Sequence, residues 1–182
     1  MVGHLLISQL NNMNKRYKNS FGFTLVELLV VISIISVLVS IVAVSFRSSQ
    51  AKGRDTERKN DLKQMANALE LYYSDYGKYP DASAGQIVGC SGAACPWGSG
   101  TFTDGKTVYF KVVPKDPSTG FNFFYRIVDS PTNQKFQLFA RLENTQDQNC
   151  LGGDCANPPV TYSCGTYTCN FAITSPNTTP TE

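Results

Sequence analysis

Histidine is nearly missing from this sequence: of 182 residues, only His4 is one. A Ser-His-Asp triad or a histidine-built metal site anywhere past the start of the chain is thereby excluded. No Gly-x-Ser-x-Gly elbow and no phosphate-binding glycine loop occurs, and Gly92, Gly98 and Gly100 read as loop residues. No enzyme is expected. Charge is scarce too, at 16% of residues and a net +2. That balance is too small to imply a polyanion, so nucleic acid is not indicated. Acidic residues are absent before Gly22, where Lys15, Arg16 and Lys18 lie; without residues 1–22, 13 basic residues face 14 acidic ones. The basic excess is an N-terminal feature. Cysteine is absent from the chain before Cys90.

From Phe23 to Phe46 the chain is apolar except for Thr24, Glu27 and four serines. Such a run is long enough to cross a bilayer as a helix. Leu25–Val44 holds fifteen Val, Leu or Ile residues. At roughly −0.3 to −0.6 kcal/mol each they outweigh one acid costing about +3 kcal/mol at mid-membrane. The run exceeds a secretory signal core, and no small-residue cleavage site follows it. The basic segment and the Gly22–Phe23 junction precede it, so a cut there leaves the helix on the product.

The helix is expected to continue to Tyr76. Leu62, Met65, Leu69, Tyr72 and Tyr76 recur at spacings of three and four, with Arg58, Lys59, Asp61 and Lys63 placed elsewhere on the wheel. Gly77 and Pro80 end it. Thr107–Val113 and Phe121–Val128 are rich in β-branched and aromatic residues, Gln134–Glu143 carries Phe136 and Phe139, and all three predict strands, with Tyr167–Ile173 as a fourth. Residues 81–106 and 144–166 read as loops. The fold class is α+β: a long N-terminal membrane-spanning helix, packed through its C-terminal half on a small antiparallel β-sheet head with disulfide-closed loops. The expected parts are a leader (1–22), a transmembrane and assembly half of the helix (23–46), an amphipathic half (47–76), a β-rich head (77–174) and a flexible Ser/Thr/Pro-rich tail (175–182).

Cys90 and Cys95, Cys150 and Cys155, and Cys164 and Cys169 share one C-x4-C spacing. An even count in a loop-rich region points to disulfides and an oxidising compartment. The repeated spacing favours three local pairs among the 15 connectivities that six cysteines allow. Zinc is the competing reading, but its knuckles are usually tighter.

Gly22-Phe23-Thr24-Leu25-Val26-Glu27, with the apolar run after it and the basic segment before it, resembles the leader junction of type IV prepilins and type II secretion pseudopilins. The resemblance implies cleavage between Gly22 and Phe23, N-methylation of Phe23, and an assembly role for Glu27. An isolated carboxylate in lipid calls for a partner, and a new amine at Phe23, on the same or another subunit, supplies one. Leu69–Pro80 and Pro114-Lys115-Asp116-Pro117 resemble the stem and head of the same family. Ser36 and Val44 stand where many members carry Gly and Pro, which predicts a more continuous helix.

The implied partners are copies of the chain and related pilins, a prepilin peptidase/methyltransferase, and, indirectly, an inner-membrane platform protein and an assembly ATPase. The implied location is the cytoplasmic membrane with the head outside the cytoplasm, then a filament. Charge counting alone does not favour that orientation, because six basic residues from Arg47 to Lys63 follow the span; the cysteines and the leader do. No cofactor is expected, with Ca²⁺ left open. Asp116 and Asp129 are the calcium candidates, although the loop acids match no EF-hand and read better as solvated turn residues. Two alternatives stand beside the filament subunit: a non-polymerising, single-pass anchored binding head, for which Glu27 has no use, and a metal or redox module, which needs free thiols.

Overall fold

A computed structural model describes residues 22–182; the basic leader before Gly22, with His4, lies outside the described residues. The first element is α1 (Leu25–Tyr76). The chain divides into two units, one ending at Ala43 and the other running from Val44 to Glu182. In the first, every large apolar side chain reported from Phe23 to Val42 is exposed, the least being Val31 at 45%. α1 is long and apolar enough to cross a membrane by length and composition.

The second unit is an α+β head. In its part of α1, Leu62, Met65 and Leu69 are fully buried, as the spacing predicts. The helix ends where Gly77 takes φ +67° and donates its amide to the Tyr73 carbonyl, a left-handed stop that glycine adopts without a Cβ penalty. Tyr73 then packs at a tilt against Tyr79, which meets Phe136 edge-on, so the chain turns directly into the core.

Ten short strands follow in three sheets. The first holds β1 (Ala82–Ser83), β2 (Gln86–Cys90), β3 (Ala93–Ala94), β4 (Phe102–Thr103) and β5 (Val108–Phe110). Its order is β1-β2-β4-β5 with β3 also on β2, and the β2–β4 contact is parallel. The second is antiparallel, with β7 (Phe136–Ala140) between β6 (Phe124–Ile127) and β10 (Phe171–Thr174). The third is a two-residue hairpin of β8 (Ser163–Cys164) and β9 (Tyr167–Thr168).

The head is therefore antiparallel-rich but not one sheet. Residues 81–106, read as loop, contribute four strands, and the expected Tyr167–Ile173 strand is split between two sheets. All five residues of β7 are buried because both of its faces are covered. Phe136, Leu138 and Ala140 join the main core with Leu62 and Met65. Phe139 faces a second cluster of Val160, Cys164 and Cys169. The tail, read from composition as flexible, is hydrogen-bonded to this region. Ser175 is buried and donates its amide to the Phe136 carbonyl, Gln137 donates to the Thr179 carbonyl, and Lys135 pairs with Glu182.

Candidate assembly site

The N-terminal motif forms a reciprocal cap. Thr24 precedes the first helical residue; its amide donates to Glu27 Oε2 at 2.8 Å, its hydroxyl donates to the same oxygen at 2.7 Å, and the Glu27 amide donates to Thr24 Oγ1 at 3.2 Å. This is a capping box: a Thr and a Glu three residues apart satisfy amide donors that a helix start otherwise leaves open. All three contacts leave Glu27 Oε1 unengaged among the described residues. Chemically, one carboxylate oxygen is committed to the helix's own start and the other can accept from a donor beyond it. Thr24 is the residue that the sequence reading missed. Its signal was the spelling Thr-x-x-Glu before an apolar run. Three of the four serines of the run are also self-satisfied: Ser33, Ser36 and Ser40 donate to the carbonyls of Val30, Ile32 and Ser36 at 2.7–2.8 Å. A span can carry them without exposing unpaired hydroxyls to lipid.

In the head the densest polar site surrounds Arg58, which is fully buried. Its placement on the polar side of the wheel is corrected: Arg58 extends the buried stripe one turn, at spacings of four, three and four to Leu62, Met65 and Leu69. Arg58 Nε and Nη2 donate to the two Asp116 oxygens at 2.8 and 2.7 Å, Nη1 donates to Asp55 at 2.7 Å, and Nη2 also reaches Ser118 and Glu143. The guanidinium carbon lies 5.0 Å from the Phe121 ring centroid. Burial pushes this group toward neutrality, but its hydrogen bonds to Asp116 and Glu143 outweigh it and hold the cation firmly charged. Asp55 in turn accepts the backbone amides of Glu143 and Asn144. Arg54 pairs with Glu143, and Lys59 with Asp147 at 2.6 Å. Hydrogen bonding from Arg54, opposed by burial and aided by Ser118 and Arg58, lowers the Glu143 carboxyl to about 2. One turn and a half of α1 thus clamps two separate loops of the head.

This clamp disposes of Asp116 as a calcium ligand: both its oxygens face a guanidinium, which fills the place of a cation. Asp129 is likewise engaged, accepting the amides of Gln134 and Lys135 and the Thr132 hydroxyl as a loop cap. Among the described residues, no three His, Cys, Asp or Glu side chains gather as a metal site. The cysteines pair as Cys90–Cys95, Cys150–Cys155 and Cys164–Cys169, and none is free. A thiol-based metal or redox module has no thiol to work with.

A capped, membrane-length apolar helix that continues into a disulfide-closed α+β head defines a class: membrane-anchored helix-and-head subunits. The prokaryotic N-terminal methylation motif matches residues 17–43. The type II secretion system core protein G of Aeromonas hydrophila is 30% identical over 105 residues, 58% of this chain and 71% of that protein. The corresponding protein of Escherichia coli is 32% identical over 96 residues, or 53% and 65% of the two chains. The type IV major pilin protein PilA of Myxococcus xanthus is 37% identical over 60 residues, which is 33% of this chain but only 27% of that pilin. The chain belongs to the type IV pilin and pseudopilin family, on the strength of its match to the secretion core protein G members. No solved structure matches it significantly.

Proposed function

We propose that this chain is the structural subunit of a type IV pilus or type II secretion-like pseudopilus. A prepilin peptidase cuts between Gly22 and Phe23 and the new amine of Phe23 is methylated. Residues 23–46 hold the subunit in the cytoplasmic membrane with the head outside the cytoplasm, until a platform protein and its ATPase extract it. It then joins copies of itself and related pilins through packing of the apolar helix. Residues 47–76 act as the stem and 77–182 as the head. The observation that carries this reading is the half-satisfied Glu27. Glu27 Oε2 accepts from the amide and hydroxyl of Thr24 at its own helix start, leaving Oε1 to accept from the amine of an incoming subunit. Pairing the two charges in a low-dielectric bundle is favourable only when both are present and in register.

Intact-mass analysis of native protein tests the processing: loss of residues 1–22 and gain of one methyl group are expected. Glu27→Val tests the assembly. It is expected to be cut, inserted and folded in the head, yet to yield no sheared filaments by electron microscopy, because the partner amine is left unpaired at a cost of several kcal/mol. Wild-type filament numbers from Glu27→Val would refute the pairing.

A further inference from the structure

The stem of α1 leaves two sets of opposite charge without partners. Arg54, Arg58 and Lys59 are committed to carboxylates of the head. Lys52 and Lys63 are exposed, Glu57 is exposed and Asp61 is half-buried, and none of the four makes an ion pair among the described residues. Their own helix cannot help them. The residues four positions away are Ser48 and Thr56 for Lys52, Lys59 and Asn67 for Lys63, Gly53 and Asp61 for Glu57, and Glu57 and Met65 for Asp61. Three positions away Lys52 has Asp55, Glu57 has Arg54 and Asp61 has Arg58, but each of these is already committed to the clamp, so no free opposite charge stands at a helix-neighbour distance.

Helical geometry sorts these four into two edges. At about 100° per residue, Lys52 and Lys63 fall within about 20° of one another and Glu57 and Asp61 within about 40°. The two groups lie about 150° apart across the solvent-facing side. That side carries Thr56, Asn60, Gln64 and Asn67, all exposed and uncharged. Between Lys52 and Asn67 the helix thus presents a basic edge, a neutral face and an acidic edge. The acidic edge is uncomfortable in a lone subunit: burial, then Glu57, then Asp116 raise the Asp61 carboxyl to about 6.

A surface whose one edge complements the opposite edge of an identical surface forms a heterologous contact, which repeats rather than closing on itself as a two-fold dimer does. We propose that the Glu57/Asp61 edge of one copy docks on the Lys52/Lys63 edge of a second copy. This rests on the filament reading above and names the part of the stem that selects the neighbour.

The test compares full-length chains in cells that make filaments. Glu57→Lys with Asp61→Lys gives a stem with two basic edges, and Lys52→Glu with Lys63→Glu gives one with two acidic edges. Like charges facing one another are expected to lower sheared filament yield by at least about tenfold in each double variant. Head folding is checked by protease resistance and disulfide mapping of the membrane fraction. Co-expressing the two variants restores complementary edges and is expected to return filaments containing both chains; the fourfold variant in one chain is expected to assemble as well. Wild-type yield from either double variant, or no rescue in both combinations while the heads stay folded, overturns the docking. Absence of filaments from the wild-type chain overturns the filament reading, and the docking with it.

Discussion

Replacing Arg58 by Met removes a charge and five hydrogen bonds while keeping most of the side chain's length. Three carboxylates then surround the site: Asp116, fully buried, Asp55, 3% exposed, and Glu143, 20% exposed. Removing one partner of a buried ion pair costs about 3–5 kcal/mol, because the remaining charge stays desolvated and unpaired. Glu143 keeps Arg54, so the loss falls mainly on Asp116 and Asp55. Against a total stability of about 5–15 kcal/mol, this is enough to bring the head near its limit. A shift in melting temperature of about 10 °C or more is expected at pH 7, read by circular dichroism of the full chain in detergent.

Two controls make the reasoning vulnerable. Adding Asp116→Asn to Arg58→Met removes the worst unpaired charge and is expected to recover about 1–2 kcal/mol. Acid gives the second. Glu143 titrates near 2 in the folded head, below its ordinary value near 4.5. A lowered carboxyl contributes stability that is present above pH about 4.5 and lost as pH falls toward 2. The wild-type head therefore weakens through that window, while protonation relieves the unpaired acids of the variant. The gap between the two proteins narrows as pH falls. If Arg58→Met lies within 1 kcal/mol of wild type at pH 7, or the gap widens in acid, the clamp is not an ionic device.

Further outcomes follow from other parts of the head. Asp61→Asn is expected to stabilise the isolated subunit by roughly 0.5–1 kcal/mol above pH 6 and by nothing below pH 4, since a raised carboxyl lowers stability as pH rises through that window; pH-dependent melts decide it. Non-reducing peptide mapping is expected to return the three local bridges, and each Cys→Ser pair to cost about 2 kcal/mol, as short closed loops do. Gly165→Ala is expected to lose about 2 kcal/mol or more in denaturant melts. Gly165 has φ +82°, and an added Cβ would lie 2.1 Å from the Gly120 carbonyl oxygen, a backbone atom with little freedom to retreat.

The parts of this fold that were legible in the sequence are those governed by one dominant force. Length and hydropathy alone marked the exposed run of α1, and period alone marked Leu62, Met65 and Leu69. β6 and β7 were found because aromatic residues recur in both. What stayed hidden depends on tertiary partners. β1 to β4 are mostly two-residue pairings in a Gly/Ser-rich stretch, too short to leave a period. The tail's composition is that of a mobile segment, yet buried Ser175 and the face of β7 around Gln137 give it a place to bond. Arg58 is the instructive miss. It has the right position for the stripe and the wrong chemistry, and carboxylates as distant as Asp116, 58 residues away, and Glu143, 85 residues away, make its burial tolerable. Thr24, by contrast, was readable: Thr-x-x-Glu needs no tertiary information.

The charges of the stem divide by direction. Those turned toward the head, Asp55, Arg58 and Lys59, are consumed within the chain, and Arg54 joins them through Glu143. Those on the two outer edges, Lys52 and Lys63 on one and Glu57 and Asp61 on the other, have no internal use. The same separation holds within Glu27, whose Oε2 serves its own helix while Oε1 is left open. A protein that had only to anchor a head would gain from neutral residues at Asp61 and Glu27, because each is a charge held in surroundings that resist it. Both make physical sense if the isolated subunit is not the final state, and the groups that are costly in the monomer find their partners in the next copy.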